Sequence, residues 1–425
     1  MTFKTEKEIP KALLVSVKTP DVSDEESLDS IEELERLVTT LGFRVIGKEF
    51  QRMPNTTGPS AVGAGKLEEL AQLTTAAADT TSPGIELANV VVFDCDLRPS
   101  QLRVIEAALK VEVLDRTGVI IEIFSRHAKT RAARLQVEIA RLNYLSPRLR
   151  EVGPSGERQQ GRGGGESELE TGRRNVRDRL AELKKELAGL DHELSQSRAS
   201  RAELACVALV GYTNAGKSST MRALTGSEVL VEDKLFATLD TTVRALKPET
   251  LPRILVSDTV GFIKKLPHDL VASFRSTLDE ANNASLLLYV VDAADPNFRT
   301  QLEVVDEALK EVGSGKTPSL LVLNKIDRVP EGQRKRLKLE FPNAIQSSAL
   351  EPESIAELRA QIVKFFEDRM IQEEVFVPYR LEGMVGQIRA NMLVISESFE
   401  EEGTRFVVKA GATQLARLKK RFQLP

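Results

Sequence analysis

GYTNAGKS, Gly211 to Ser218, decides the fold. The stretch satisfies G-x-x-x-x-G-K-[ST] and directly follows ACVALV, an apolar run of strand length. A glycine-rich turn between a strand and a helix aims successive backbone N–H groups at one point, and the positive end of the helix lies behind it. Phosphate is the ligand such a loop suits. Lys217 then reaches the β and γ oxygens, and the Ser218 hydroxyl ligates Mg²⁺. Gly211, Tyr212, Thr213, Asn214, Ala215 and Gly216 form the cradle, and Ser219 continues into the helix.

Outward from this loop the chain alternates apolar strand candidates (RILVSD, SLLLYVVD, SLLVLN, AIQSS) with helical stretches. That alternation predicts a doubly wound α/β sheet. Asp258 ends RILVSD and opens D-x-x-G, which brings a carboxylate near the Mg²⁺ through water and the Gly261 amide near the γ-phosphate, with Thr259 and Val260 between. Asn324, Lys325, Ile326 and Asp327 spell NKID after the next strand but one. The two carboxylate oxygens of Asp327 can accept from both N1–H and N2–H₂ of guanine, and adenine offers no such pair of donors. GTP is therefore the expected nucleotide. Ser348, Ala349 and Leu350 follow AIQSS, where a loop supporting the base belongs. Between the phosphate loop and Asp258 runs KLFATLDTTVR, in which Thr238, Thr241 and Thr242 each offer a hydroxyl for the Mg²⁺ shell. Phe262 stands where Ras-like enzymes carry a glutamine that orients the attacking water. Its ring can orient nothing, so slow intrinsic turnover is expected.

The rest of the chain reads as three further pieces around a nucleotide domain spanning 199–370. Residues 1–125 alternate strand and helix patterns: ALLVSVK and VVVFDCD read as strands, and SLDSIEELERLVTTLG as a helix with Leu28, Ile31, Leu34 and Leu37 on one face. This piece also holds VGAGKLEEL, which lacks the full phosphate-loop spacing and reads as a turn before a helix. In 126–198, Val176, Leu180, Leu183, Leu187, Leu190 and Leu194 make a heptad seam, and Leu135, Ile139 and Leu142 offer a facing stripe. Two antiparallel helices follow, with REVGPSGERQQGRGGGESELE as the exposed tip. Residues 371–425 carry two strand-like runs, NMLVIS and RFVVKA, and a basic helix, QLARLKKRF. They read as a small α/β appendage.

The 425 residues suit two to four domains, and an apolar share of 41% beside a charged share of 29% is that of a soluble globular protein. MTFKTEKEIP has no apolar leader core, and no stretch approaches the roughly 18 apolar residues of a membrane span, so the expectation is a cytoplasmic chain. Cys95 and Cys206, both in apolar runs, cannot form a disulfide framework, and His127, His192 and His268 lack metal-ligand spacing. The net charge is -4, yet Arg126 to Arg179 holds thirteen Lys/Arg against seven Asp/Glu. A basic segment on an acidic protein implies a polyanionic partner.

The order GYTNAGKSS, LFATLD, DTVGFI, NKID, SAL resembles the translational GTPases of the TrmE-Era-like superfamily. DRTGVIIEIFSRHAKTRAARLQVEIARLNYLSPRL and RGGGESELETGRR narrow the resemblance to the HflX family, over nearly the whole chain. That resemblance makes Thr238 the switch magnesium ligand and puts Phe236, Ala237, Leu239 and Asp240 beside the nucleotide. It further implies a monomer that binds the large ribosomal subunit and its RNA through the N-terminal pieces, hydrolyses GTP to GDP there, and splits or rescues stalled ribosomes. Peripheral association with ribosomes or membrane goes with it. The family's tip reads close to GPGETQLETDRR, whereas Gly163 to Arg174 is GGGESELETGRR, with Gly164 for proline, Glu168 for glutamine and Gly172 for aspartate. Asn214 matches a phosphate-loop asparagine that supplies an oxygen ligand to K⁺ in potassium-stimulated relatives. A nucleotide-fuelled RNA-remodelling enzyme and a nucleotide-gated scaffold with negligible turnover are the competing readings.

Overall fold

The computed structural model describes residues 9–75, 86–150, 168–201, 204–226, 235–236, 242–265, 280–381 and 383–422. They fall into two compact units that divide between Ala188 and Gly189.

In the first unit, β1 (Lys11–Lys18), β2 (Arg44–Arg52), β3 (Val90–Phe93) and β4 (Glu112–Asp115) form one parallel sheet in the order β2-β1-β3-β4. Crossover helices α1 (Asp24–Thr40), α2 (Ala64–Gln72) and α3 (Pro99–Leu109) join them, and α4 (Arg116–His127) follows. Parallel strands require such crossovers. Ser23 starts α1 by accepting from the Glu26 amide, while Glu26 accepts from the Ser23 amide, so two N-terminal donors are satisfied reciprocally. Ile31, Leu34 and Leu37 are buried as expected, but Leu28 is 52% exposed. The buried stripe is set one residue earlier, on Ser27, whose hydroxyl lies 3.0 Å from that of Ser16 on β1. VGAGKLEEL does form a turn and a helix, with Gly63 capping α2. Its Lys66 is held by Glu49 at 2.6 Å and Glu69 at 2.9 Å, which raises the lysine's pKa through the Glu49 hydrogen bond first.

Helices α5 (Arg131–Arg150) and α6 (Glu168–Arg201) pair antiparallel: Arg131 bonds Glu186 at 2.7 Å, and seven residues on, Glu138 accepts from Arg179, seven residues back, at 3.1 Å. Leu183 is fully buried in the seam with Leu135 and Ile139, while Leu142, Val176, Leu180, Leu187 and Leu190 are half-buried. The Leu194 side chain lies outside the described residues, as do residues 151–167 of the tip. Tyr144 on α5 donates to Asp115 at the end of β4, fastening the hairpin to the sheet.

In the second unit, β5 (Ala205–Val210), β6 (Thr242–Ala245), β7 (Ile254–Asp258), β8 (Leu286–Asp292), β9 (Ser319–Asn324) and β10 (Ile345–Gln346) make a six-stranded sheet, order β10-β9-β8-β5-β7-β6. All are parallel except β6, which runs antiparallel to β7 at the edge. Helices α7 (Lys217–Thr225), α8 (Phe298–Val312), α9 (Glu331–Glu340) and α10 (Pro352–Glu367) belong to this domain. Val207, Leu209, Val256, Leu288 and Val322 bury the sheet's centre with Leu358 and Ile362 of α10. The doubly wound α/β reading holds.

The C-terminal part holds one strand and one helix more than the sequence reading gave it. β11 (Met370–Pro378), β12 (Leu393–Phe399) and β13 (Gly403–Gly411) form an antiparallel sheet, order β11-β13-β12, with helices α11 (Met384–Asn391) and α12 (Ala412–Phe422). β11 and α11 carry weak periodicity, since Gln372, Glu373 and Glu374 interrupt the one and Gly386 the other. Cys206 lies in β5, whereas Cys95 sits in the bend past β3.

Candidate nucleotide-binding site

The loop between β5 and α7 is shaped by positions that admit no side chain. A Cβ at Gly211 would stand 2.1 Å from the Val290 carbonyl oxygen, and one at Gly216, where φ is +94°, 2.2 Å from Asn324 Nδ2. Asn214 also takes a left-handed conformation, φ +60°. The turn therefore lies hard against β8 and the end of β9. Tyr212, Thr213 and Ala215 are buried, Ser218 and Ser219 are half-buried, and Asn214 is exposed.

Lys217 is almost wholly buried, and its Nζ donates to the carbonyls of Gly211 at 3.1 Å and Tyr212 at 2.9 Å. Burial pushes its ammonium down to about 8, against the opposing pull of the Asp258 charge. Ser218 Oγ donates to Asp258 Oδ2 at 2.6 Å, so the hydroxyl and the carboxylate from β7 meet at the start of α7. A hard cation takes oxygen ligands of this kind, and the pair fits Mg²⁺ held by Ser218 with Asp258 behind it. Thr259 donates to Leu209 O at 2.6 Å and is buried with Val260. A Cβ at Gly261 would meet Lys217 Nζ at 3.0 Å and Thr213 Cγ2 at 2.9 Å, so the D-x-x-G corner closes on the phosphate loop.

Phe262 is 4% exposed, its ring turned away from solvent. Its backbone is tied to the loop: its N–H donates to Gly211 O at 3.1 Å and its carbonyl accepts from Thr213 N at 2.8 Å. The Lys264 amide donates to the Tyr212 phenol oxygen at 2.6 Å. No residue pattern announces these backbone bonds, and sequence reasoning missed them.

Asn324 Nδ2 donates to Ala215 O at 2.8 Å, joining the end of β9 to the phosphate loop. Lys325, φ +56°, donates to Asn214 O at 2.8 Å and pairs with Asp292 at 2.8 Å. Asp292 is a site residue the sequence reading did not name, although it ends its strand as Asp258 does. Ile326 is buried and its N–H donates to Ser347 O at 3.1 Å, which sets the 348–350 loop beside Asp327. Asp327 is exposed, Ser348 buried, Ala349 half-buried and Leu350 exposed. Thr242 lies in β6 opposite Asp258. Phe236 is buried with φ +57°, whereas Ala237, Thr238, Leu239, Asp240 and Thr241 lie outside the described residues.

Comparison with known proteins gives the family. Family models described as "GTP-binding GTPase N-terminal", "GTP-binding GTPase Middle Region" and "50S ribosome-binding GTPase" match residues 28–125, 127–201 and 206–325. A GTPase HflX from Gluconacetobacter diazotrophicus is 51% identical, covering 98% of this chain and 99% of that one. The chain belongs to the HflX family of GTPases. A second HflX, from Caldanaerobacter subterraneus, is 36% identical over 95% of this chain and 91% of its own length. A solved structure, SsGBP with GDP, aligns at 24% identity and a TM-score of 0.49 over 84% of this chain and 98% of that one, too loosely for residue-level comparison. Among the described residues of this HflX-family chain, no helix is long and apolar enough to cross a membrane.

Proposed function

We propose that this GTPase docks on the large ribosomal subunit and hydrolyses GTP there to GDP and phosphate, and that the cycle splits or rescues stalled ribosomes in the cytoplasm. The observation that carries the nucleotide half is the convergence of Lys217, Ser218, Asp258 and Gly261 at the start of α7. Lys217 Nζ exchanges its two carbonyl acceptors for β and γ oxygens, which are stronger because they are charged. Ser218 would hold Mg²⁺, with Asp258 behind it and Thr238 as the switch ligand implied by family resemblance. That ion, when bound, neutralises phosphoryl charge. Gly261 offers its amide to the γ-phosphate, and Asp327 pairs with guanine. For the ribosomal half, the support is the basic segment from Arg126 to Arg179, of which α5 and α6 form the stem. The test compares GTP turnover with and without purified large subunits, and subunit separation on density gradients. Equal turnover in both would favour the nucleotide-gated scaffold.

A second reading concerns a monovalent ion. Asn214 is exposed at φ +60°, where its side-chain oxygen can reach a cation beside the phosphates. Turnover in K⁺ should exceed that in Na⁺ at equal ionic strength, and Asn214→Ala should remove the difference. Indifference to the cation would leave Asn214 as a residue chosen for its backbone angle alone.

A further inference from the structure

Phe262 leaves the transferred phosphoryl group short of a side-chain partner, and Thr213 is placed to supply one. Thr213 is 7% exposed, and among the described residues its Oγ1 has no hydrogen-bond partner. Buried threonines elsewhere in the domain return their hydroxyls to the backbone, as Thr225 does to Met221 O at 2.8 Å and Thr259 to Leu209 O at 2.6 Å. A buried hydroxyl left without a partner is disfavoured unless a ligand completes it. The backbone N–H of Thr213 is already spent on Phe262 O at 2.8 Å, so the side chain is the group it can offer.

Its position points to the ligand. The three heavy atoms nearest a Cβ built on Gly261 are Thr213 Cγ2 at 2.9 Å, Lys217 Nζ at 3.0 Å and Thr213 Cα at 3.0 Å. Thr213 thus shares one corner with the ammonium and with the glycine that face the γ-phosphate in the GTP-site reading, on which this inference rests. Thr220 Oγ1 and Asn324 Oδ1 also lack partners, but neither is among those nearest atoms.

We propose that Thr213 is a catalytic residue whose hydroxyl donates to a γ-phosphoryl oxygen of GTP. In hydrolysis the water oxygen bonds to phosphorus, the bond to the β-phosphate oxygen breaks, and the water proton leaves with the phosphate. Thr213 transfers no proton. Its fixed donor faces oxygens that share the charge of the transferring group.

The experiment uses the full chain and three variants, Thr213→Val, Thr213→Ser and Thr213→Ala, with GDP affinity and turnover at saturating GTP measured in the presence of large subunits. Thr213→Val keeps the shape and loses the hydroxyl. It is expected to hold GDP within about twofold, because GDP has no γ-phosphate, and to lose about tenfold or more in turnover. Thr213→Ser is expected to keep at least about a third of wild-type turnover, since it retains the donor. Wild-type turnover by Thr213→Val would overturn the proposal, and so would a loss of GDP affinity matching the loss of rate. Should Thr213→Val fail to fold, as seen by circular dichroism, Thr213→Ala decides by the same two criteria. A wild-type chain without GTP turnover would instead overturn the reading of the site as a GTPase.

Discussion

Among the described residues, Lys217 carries a clear pH signature. Burial holds its pKa near 8, below the ordinary lysine value of 10.5, and bound phosphates raise it again by supplying charge. Below about pH 8 the lysine is already protonated and binding needs no proton. Above it, binding must take one up, so nucleotide affinity should fall by up to about tenfold per pH unit between roughly 8 and 10. Calorimetry in buffers of different ionisation enthalpy would register this as proton uptake at pH 9, and its absence would place the titration elsewhere. On the proposed reading, Asp327 selects the base. Asp327→Asn replaces one acceptor with a donor facing guanine donors and should cost about 2 kcal/mol, roughly thirtyfold in GTP affinity by titration calorimetry. The order of these motifs was legible because phosphate, magnesium and guanine would each demand particular atoms, and the fold brings Lys217, Ser218 and Asp258 together. Tyr212 and Phe262 were not legible as partners, since their link runs largely through backbone amides that any residue carries.

Elements were readable in proportion to their length and to the contrast between their faces. The α5–α6 pairing followed from the leucine spacing, and the ion pairs Arg131–Glu186 and Arg179–Glu138 lie along it. Those pairs are exposed and contribute little by themselves. Leu183 is the seam's fully buried residue, and Leu183→Ala should destabilise the first unit by about 2–5 kcal/mol, seen as a lowered urea midpoint. A loss under about 0.5 kcal/mol would mean the seam is not packed as described. Gly172 lies within α6, where glycine costs about 1 kcal/mol relative to alanine. β6 escaped the sequence reading because TVRA is short and charged, and it is defined by pairing with β7 rather than by its own pattern. Leu28 was misplaced for a related reason: Ser27, satisfied by a partner on β1 that no periodicity reveals, sits on the buried stripe of α1.

For the whole molecule, basic charge is concentrated in one segment of the sequence. A chain of net charge -4 that carries a basic hairpin should bind a polyanion in good part through that hairpin. Replacing Arg158, Arg162, Arg173 and Arg174 with alanine should weaken sedimentation with large subunits and reduce the slope of log affinity against log salt by roughly 3, with nucleotide affinity unchanged. Equal sedimentation of variant and wild type across the salt series would make the tip a connector. Residues 151–167, including Arg158 and Arg162, lie outside the described residues, as does the Arg173 side chain. The fold class was thus within reach of the sequence, while the third strand of the C-terminal sheet, β11, was missed because acidic and amide side chains interrupt its pattern.

The buried ring of Phe262 also bears on what substitution can achieve there. A Ras-type glutamine here would bring an amide to a position only 4% exposed, where it must find partners that a phenyl ring does not need. Substitution at this one position is therefore a poor route to faster intrinsic turnover.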